Sequence, residues 1–165
     1  MALPDAAAPD SAGQELAARA IRLLAVREHS VQELRRKLRR TRTPDSADDA
    51  AIEAVLEDLQ RDGLLSEERF VEAFVRSRLG RGQGPAKIRA GLMERGVARK
   101  LVDDALDQLD QDRDFWRDRA RTAQARRFGA APSADRADWA KRARFLSARG
   151  FGPDVIYRTL GEQPV

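Results

Sequence analysis

An apolar pattern that returns at a nearly fixed distance constrains the fold of this chain more than any other feature. Residues 52–59 carry apolar side chains at i, i+3, i+4 and i+7, the spacing of one helix face, and residues 102–109 carry the same pattern. Residues 92–106 return 54 positions later as residues 146–160. Almost nothing alternates in twos, so strands are not expected. Recurrence at a fixed offset is typical of repeat arrays, and the sequence therefore predicts an all-α protein built from helical repeats.

Each repeat is expected to hold three helices, because capping and turn residues divide it. Ser30 followed by Glu33 fits a capping box that begins a helix. Gly63 is placed to end a helix in a left-handed turn, and Gly84 with Pro85 is typical of a helix start. Units of three short helices are expected to pack on their neighbours. The predicted architecture is three tandem three-helix repeats in an elongated, curved array.

The predicted organisation has four segments. Residues 1–14 are interpreted as a disordered tail, because they mix Ala and Pro with Asp and lack the basic start and apolar run of a signal peptide. The three repeats are expected at residues 15–63, 64–110 and 111–162.

The third repeat departs from the pattern of the second. At an offset of 54 positions, Arg142 stands where Ile88 occupies a core position, and Trp139 stands where Pro85 begins a helix. An arginine is not expected in an apolar stripe. The sequence therefore indicates a shifted register in this repeat.

Composition excludes several kinds of chemistry. The chain has no cysteine, which removes disulfides, thiolate nucleophiles and Cys-based metal sites and is compatible with a reducing cytosol. No stretch approaches the roughly 18 consecutive apolar residues that a membrane-spanning helix needs. We therefore expect a cytoplasmic protein with no membrane segment.

Three motifs that could carry chemistry are incomplete. The acidic run from Asp110 has the spacing of a calcium loop but lacks its glycine and has Arg121 where the last carboxylate belongs. The glycines of residues 80–84 have neither the Walker nor the dinucleotide spacing and are expected to form a flexible connection. His29, the only histidine, has no nucleophile pattern beside it. The sequence predicts no catalytic residues, no metal and no cofactor, so the protein is not expected to be an enzyme.

Charge alternates in blocks along the chain. Residues 27–42 hold seven basic and two acidic side chains, whereas residues 43–62 hold one basic and seven acidic side chains. Residues 69–100 and 119–149 each hold nine basic and two acidic side chains, and residues 101–118 hold two and seven. Helices 1 and 2 of a repeat are thus expected to be basic and helix 3 acidic. If the repeats stack in similar orientations, the array would show one basic and one acidic side, which allows a protein to bind phosphate on one side and a basic group or a protein on the other.

The second predicted helix presents a basic face. Helical geometry places Arg36 and Arg40 opposite the apolar positions, with Lys37 and Arg39 flanking them, so all four are expected to face solvent. A solvated surface is the plain interpretation, but the excess of Arg over Lys favours pairing with phosphate or carboxylate. The candidate DNA-binding or partner-binding residues are Arg35, Arg36, Lys37, Arg39, Arg40, Arg42, Arg76, Arg78, Arg81, Lys87, Arg89, Arg126, Arg127, Lys141 and Arg144.

Several stretches together carry a family pattern. They are Ala20 to Leu24 with Ser30 to Leu38; Asp58-Leu59 through Asp62-Gly63-Leu64 to Arg69-Phe70; Gly84-Pro85 with Ile88, Leu92, Arg95 and Gly96; and Arg127-Phe128-Gly129 with Arg144-Phe145-Leu146 and Arg149-Gly150-Phe151. In order, spacing and total length they resemble the RecX family of bacterial regulators of the RecA recombinase. The resemblance covers about residues 16 to 162.

The resemblance implies a function as well as a fold. It implies a protein that lies in the helical groove of a RecA–DNA filament and restrains filament extension together with its ATPase, strand-exchange and coprotease activities. Such a regulator has no catalytic site and acts in homologous recombination, DNA repair and the SOS response. The expected partners are the RecA nucleoprotein filament and single- or double-stranded DNA, the latter bound weakly alone, and the protein is expected to be a monomer. The alternative is a basic helical protein that binds DNA or RNA without RecA.

Overall fold

The fold of the protein is given by a computed structural model that describes residues 11–40 and 46–164. Within these residues every regular element is a helix, so the predicted all-α fold class is confirmed. The helices are α1 (Ser11–Val26), α2 (Val31–Arg39), α3 (Ser46–Arg61), α4 (Glu67–Gly80), α5 (Pro85–Glu94), α6 (Arg99–Asp110), α7 (Phe115–Phe128), α8 (Arg136–Ala148) and α9 (Pro153–Leu160).

The chain divides into two compact units, the first ending at Phe70 and the second beginning at Val71. In the first unit, α1, α2 and α3 all pack against one another. Their shared core is made of aliphatic side chains and contains Leu16, Ala20, Leu34, Leu38, Ile52, Val55, Leu56, Leu59 and Leu65.

Local chemistry sets the helix ends where the sequence predicts them. Ser30 Oγ accepts a hydrogen bond from the backbone N–H of Glu33 at 3.0 Å, which begins α2. Gly63 adopts φ 71° just after α3, and the N–H of Leu64 donates to the carbonyl of Leu59 at 2.9 Å. Both predicted boundaries are confirmed.

Helix α1 begins earlier than predicted. The sequence places residues 1–14 in a tail, whereas α1 starts at Ser11. Gln14 and Glu15 have high helix propensity, so nothing local stops the helix before this point. Residues 1–10 lie outside the described residues, and the tail there stays a prediction, as do the repeat boundaries.

In the second unit, α5 packs on α6, α6 on α7, and α7 on both α8 and α9. The interior is again mostly aliphatic, with a few aromatic side chains. Its buried apolar residues are Val71, Phe74, Val75, Ile88, Leu92, Val97, Val102, Leu106, Trp116, Ala120, Ala123, Trp139, Leu146, Phe151, Val155 and Ile156.

Two glycines let the start of α5 touch the turn between α8 and α9. The N–H of Gly84 donates to the carbonyl of Arg149 at 2.7 Å, and the N–H of Ala86 donates to that of Gly150 at 3.1 Å. A Cβ on Gly84 would lie 2.6 Å from the Gly150 carbonyl. The prediction of a flexible connection is therefore wrong at Gly84. A glycine is needed there because the two backbones approach closely, and not because the chain must be flexible.

The third repeat keeps its register. Arg142 is 6% exposed and Ile88, its counterpart in the second repeat, is 0% exposed, while Leu92 and Leu146 are both fully buried. The predicted register shift is wrong because the Arg142 guanidinium finds partners inside. It pairs with Asp138 at 2.8 Å and donates to the Ala131 carbonyl at 2.7 Å, and a buried charge with such partners is tolerated.

Candidate nucleic-acid interface

The basic face of α2 separates into paired and unpaired arginines. Arg35 binds both carboxylate oxygens of Glu53, at 2.6 and 2.7 Å, and Arg39 binds Asp49 in the same way at 3.0 and 3.1 Å. Arg36 and Arg40 are exposed, and neither forms an ion pair with a residue in the described ranges. Only the unpaired arginines keep a free guanidinium for another molecule.

The pair between Arg35 and Glu53 is a repeated feature. The hydrogen bond from Arg35 lowers the pKa of Glu53 below its usual range. In the second unit, Arg89 pairs with Asp103, and these residues follow Arg35 and Glu53 by 54 and 50 positions. Both pairs join the second helix of a repeat to the third. Two predicted binding residues, Arg35 and Arg89, are thus held by carboxylates of their own chain.

Lys37 does not face solvent as predicted. It is half-buried, and its Nζ lies 3.0 Å from Nε2 of His29, whose Nδ1 lies 3.0 Å from the Arg27 carbonyl. Since Nδ1 must donate to that carbonyl, Nε2 accepts from Lys37 and the imidazole is neutral. His29 is 1% exposed, and burial lowers its pKa from the usual 6.5. Lys37 is therefore a structural partner of His29.

Arg78 is another predicted binding residue with a packing role. Its Cζ lies 4.6 Å from the centre of the Phe74 ring, and that of Arg95 lies 5.0 Å from the same ring. Desolvation, followed by the nearby charges of Arg81 and Arg95, lowers the pKa of Arg78. Arg76, on the same helix, is exposed and forms no ion pair within the described part of the chain.

A small cavity in the second unit is lined by four arginines. It has a volume of about 200 Å³ and lies where the ends of α4, α7 and α8 meet. We call it the arginine pocket. Its lining residues are Gly80, Arg81, Gly82, Ala123, Arg126, Arg127, Phe145 and Arg149.

The arginine pocket gathers three of the predicted residues and one that the prediction missed. Arg81, Arg126 and Arg127 were predicted, whereas Arg149 was not. Arg149 Nη1 donates to the carbonyl of Arg81 at 2.6 Å, and its Cζ lies 5.1 Å from the centre of the Phe145 ring. The available signal for Arg149 was its position directly before a glycine that ends a helix, 54 residues after Arg95.

The remaining predicted residues lie outside this pocket. Lys87 Nζ donates to the carbonyl of Ala148 at 3.1 Å, and Lys141 Nζ lies 5.6 Å from the centre of the Phe128 ring. Arg144 is exposed and has no carboxylate partner among the residues described. Arg42 lies outside the described residues.

Residues 11–40 and 46–164 contain no group of three His, Asp or Glu side chains that could hold a metal ion. None of the helices described is both long and apolar enough to cross a bilayer.

These helices and unpaired arginines define a class: an all-α protein of three-helix units with an arginine-rich surface. Within it, residues 66–106 match the family model for the second three-helix domain of RecX, and residues 116–160 match that for the third. The regulatory protein RecX of Halorhodospira halophila is 46% identical over 119 residues, which cover 72% of this chain and 70% of that protein. The corresponding protein of Leptothrix cholodnii is 46% identical over 126 residues, covering 73% and 72% of the two chains.

Solved structures agree with this at the level of the fold. The crystal structure of RecX from Lactobacillus salivarius has a TM-score of 0.73 to this chain, with 20% identity, and covers 90% of this chain and 94% of its own. The chain belongs to the RecX family of regulatory proteins.

Proposed function

We propose that this protein regulates RecA by binding in the groove of the RecA–DNA filament. Bound there, it restrains filament extension and lowers the ATPase, strand-exchange and coprotease activities of the filament. Membership of the RecX family supports a regulatory role. The observation that carries the proposal is that seven of the predicted binding residues are exposed arginines without carboxylate partners in the described chain: Arg36, Arg40, Arg76, Arg81, Arg126, Arg127 and Arg144.

The contrast between paired and unpaired arginines supports binding to a polyanion. Arg35, Arg39 and Arg89 hold helix 2 to helix 3 through carboxylates. The unpaired arginines leave planar guanidinium forks open, and these match phosphate and carboxylate oxygens. A nucleoprotein filament offers phosphates and acidic side chains together, so one protein can engage both.

The proposed action is binding without chemistry. His29 would be the natural general base, but it is buried and both of its ring nitrogens are engaged within the protein. A general base needs access to the proton it removes. This agrees with a regulator that acts through RecA, and we also expect a cytoplasmic monomer without a cofactor.

The test is steady-state ATP hydrolysis by a RecA filament on single-stranded DNA, titrated with this protein. We expect wild-type protein to inhibit below stoichiometry. The double substitution Arg36→Gln and Arg40→Gln should raise the concentration needed by about tenfold or more, because each lost charge-assisted contact weakens binding. Unchanged hydrolysis over a wide range of wild-type concentrations contradicts the proposal.

A matched control separates specific contacts from total charge. Arg61→Gln with Lys100→Gln removes the same two charges from side chains already paired with Asp58 and Asp104, and both pairs are exposed. Exposed pairs contribute little to stability, so this variant should fold and inhibit like wild type. Equal loss of inhibition in both variants would assign the effect to net charge rather than to the α2 face.

RecA-independent binding of DNA or RNA is the second candidate. A sequence pI of about 10.1 and the same unpaired arginines favour it. It predicts binding to nucleic acid without RecA, with an affinity that falls steeply as salt rises. Negligible binding at low salt rules it out.

A further inference from the structure

The arginine pocket brings four guanidinium groups to one small cavity. Arg81 directly follows α4, Arg126 and Arg127 lie in the last turn of α7, and Arg149 is the C-terminal cap of α8. They line a volume of about 200 Å³. Like charges gathered at one place repel one another unless an anion lies between them.

Charge in this pocket is not balanced by the chain itself. Elsewhere in the second unit, arginines pair with carboxylates, as Arg117 does with Asp114 and Arg142 with Asp138. None of the four pocket arginines forms an ion pair within residues 11–40 and 46–164. The charge of Arg81 also helps to lower the pKa of the neighbouring Arg78, as expected where positive charge is uncompensated.

Contacts within the chain engage two of the four, and one of these is Arg127, whose Cζ lies 5.9 Å from the centre of the Phe128 ring. Arginines near helix C-termini often bind the last carbonyl groups, and Arg149 does so with the carbonyl of Arg81. The side chains of Arg81, Arg126 and Arg127 donate no hydrogen bond to any residue that the structure describes. Three guanidiniums therefore keep all their donors for a ligand.

The walls of the pocket define the ligand further. The backbone N–H groups of Arg81 and Gly82 already donate to carbonyls of α4, so recognition is left to the guanidiniums. Small residues keep the cavity open, since a Cβ on Gly82 would lie 3.2 Å from Cβ of Ala123. The volume is below the roughly 300–1,000 Å³ of pockets for whole small molecules. A single anionic group fits better than a nucleotide.

We propose that the arginine pocket holds a phosphate group of the nucleic acid that this protein contacts in the RecA–DNA filament. The inference rests on the proposed function and deepens it. Guanidiniums reach the cavity from three helix ends, and a tetrahedral phosphate presents oxygens in several directions. A planar carboxylate is satisfied by one bidentate arginine, so phosphate uses the arrangement more fully.

The first test uses inorganic phosphate as the probe and the full chain. Backbone amide shifts of Gly80, Arg81 and Gly82 are followed by NMR during a phosphate titration at constant ionic strength. We expect saturable shifts in wild type and affinity at least about tenfold weaker in Arg126→Gln with Arg127→Gln, because two charge-assisted contacts are lost. No saturable shift in wild type, or unchanged affinity in the variant, overturns the proposal.

A matched control uses two other exposed arginines of the second unit. Arg99→Gln with Arg136→Gln removes the same charge outside the pocket. It should leave the phosphate affinity unchanged. An equal loss in this variant would mean that phosphate reports only net charge, which also overturns the site.

The second test identifies the source of the phosphate. Single-stranded oligonucleotides of equal sequence, with and without a 5′-phosphate, are titrated against the same amides. Shifts with both support internal phosphodiesters, and shifts with the phosphorylated strand alone support a terminal phosphate. A nucleic-acid ligand is contradicted if inorganic phosphate causes shifts but neither strand does. It is also contradicted if an acidic peptide displaces the bound DNA equally well. Phosphate and DNA shifts that persist while wild type leaves RecA hydrolysis unchanged would contradict only the proposed function.

Discussion

Individual arginines in this protein do three different things, and their partners distinguish them. Arg35 and Arg89 tie neighbouring helices through carboxylates. Arg142 is buried beside Asp138 and the Phe128 ring. Arg36 lies exposed and unpaired among the described residues. Sequence alone shows that arginine is abundant, but only three-dimensional neighbours separate structural arginines from those open to a ligand.

The buried arginine gives the first prediction. Arg142→Ala should lower the free energy of unfolding by about 2–3 kcal/mol, because it truncates a large side chain that is 6% exposed. Urea denaturation measures the change. Arg89→Ala, which breaks a partly exposed pair, should cost less than about 1 kcal/mol. Similar small losses in both would mean that Arg142 is not a core residue.

His29 gives a prediction on pH. Burial lowers its pKa below the usual 6.5, so as pH falls the unfolded chain takes up a proton before the folded chain does. The free energy of unfolding should therefore decrease as the pH is lowered below about 6.5, by at most about 1.4 kcal/mol per pH unit. The decrease should end once His29 is protonated in the folded protein as well. Above pH 6.5 this contribution is constant.

The pH prediction is checked against His29→Gln. Urea denaturation of both proteins is measured between about pH 8 and pH 5. Carboxylates titrate in both, so the difference between the two curves reports His29. Parallel curves through this range would contradict a buried neutral imidazole.

At the scale of helices, the sequence predicted the features that depend on neighbouring residues, such as helix ends. The caps at Ser30 and Gly63 were predicted correctly because their effects reach only a few residues. The contact between Gly84 and Gly150 was missed, because backbone approach between residues 66 positions apart leaves no local pattern. The register at Arg142 was misjudged for a related reason: the position was assumed to need an apolar side chain, although Asp138 four residues earlier offered a partner.

The glycine contact gives a prediction at this scale. Gly84→Ala should lower the free energy of unfolding by about 2–3 kcal/mol, since the new Cβ would lie 2.6 Å from the Gly150 backbone and must displace it. Thermal or urea denaturation measures the loss. Gly80→Ala is the matched control, because a Cβ there meets nothing within 4 Å and should change stability by less than about 0.5 kcal/mol. Equal effects would show that the contact does not hold this part of the second unit.

At the scale of the whole molecule, charge blocks predicted basic and acidic helices but not how much of the charge stays free. Much of it is used inside the chain, as when basic α2 binds Glu53 and Asp49 of acidic α3. The candidate interface is therefore smaller than the predicted set of basic residues. The residues of this interface could not be predicted from their spacing in the sequence, because ion pairing depends on which helices become neighbours after folding.

The salt dependence of DNA binding tests this division of charge. Binding to single-stranded DNA without RecA should weaken as salt rises, and each lost phosphate contact should lower the log–log slope by about 0.7. Neutralising Arg36 with Arg40, or Arg126 with Arg127, should each lower it by about 1.4, and the quadruple variant by about 2.8 if the pairs act independently.

Fluorescence anisotropy over a series of salt concentrations measures these slopes. Arg61→Gln with Lys100→Gln should leave the slope near that of wild type, because those side chains are already held by carboxylates and release few counterions on binding. A slope that falls as far in this control as in the two test variants would show that affinity follows net charge. A slope that stays unchanged in the quadruple variant would show that its arginines touch no phosphate. Either result would remove the distinction between paired and unpaired arginines as a guide to the interface.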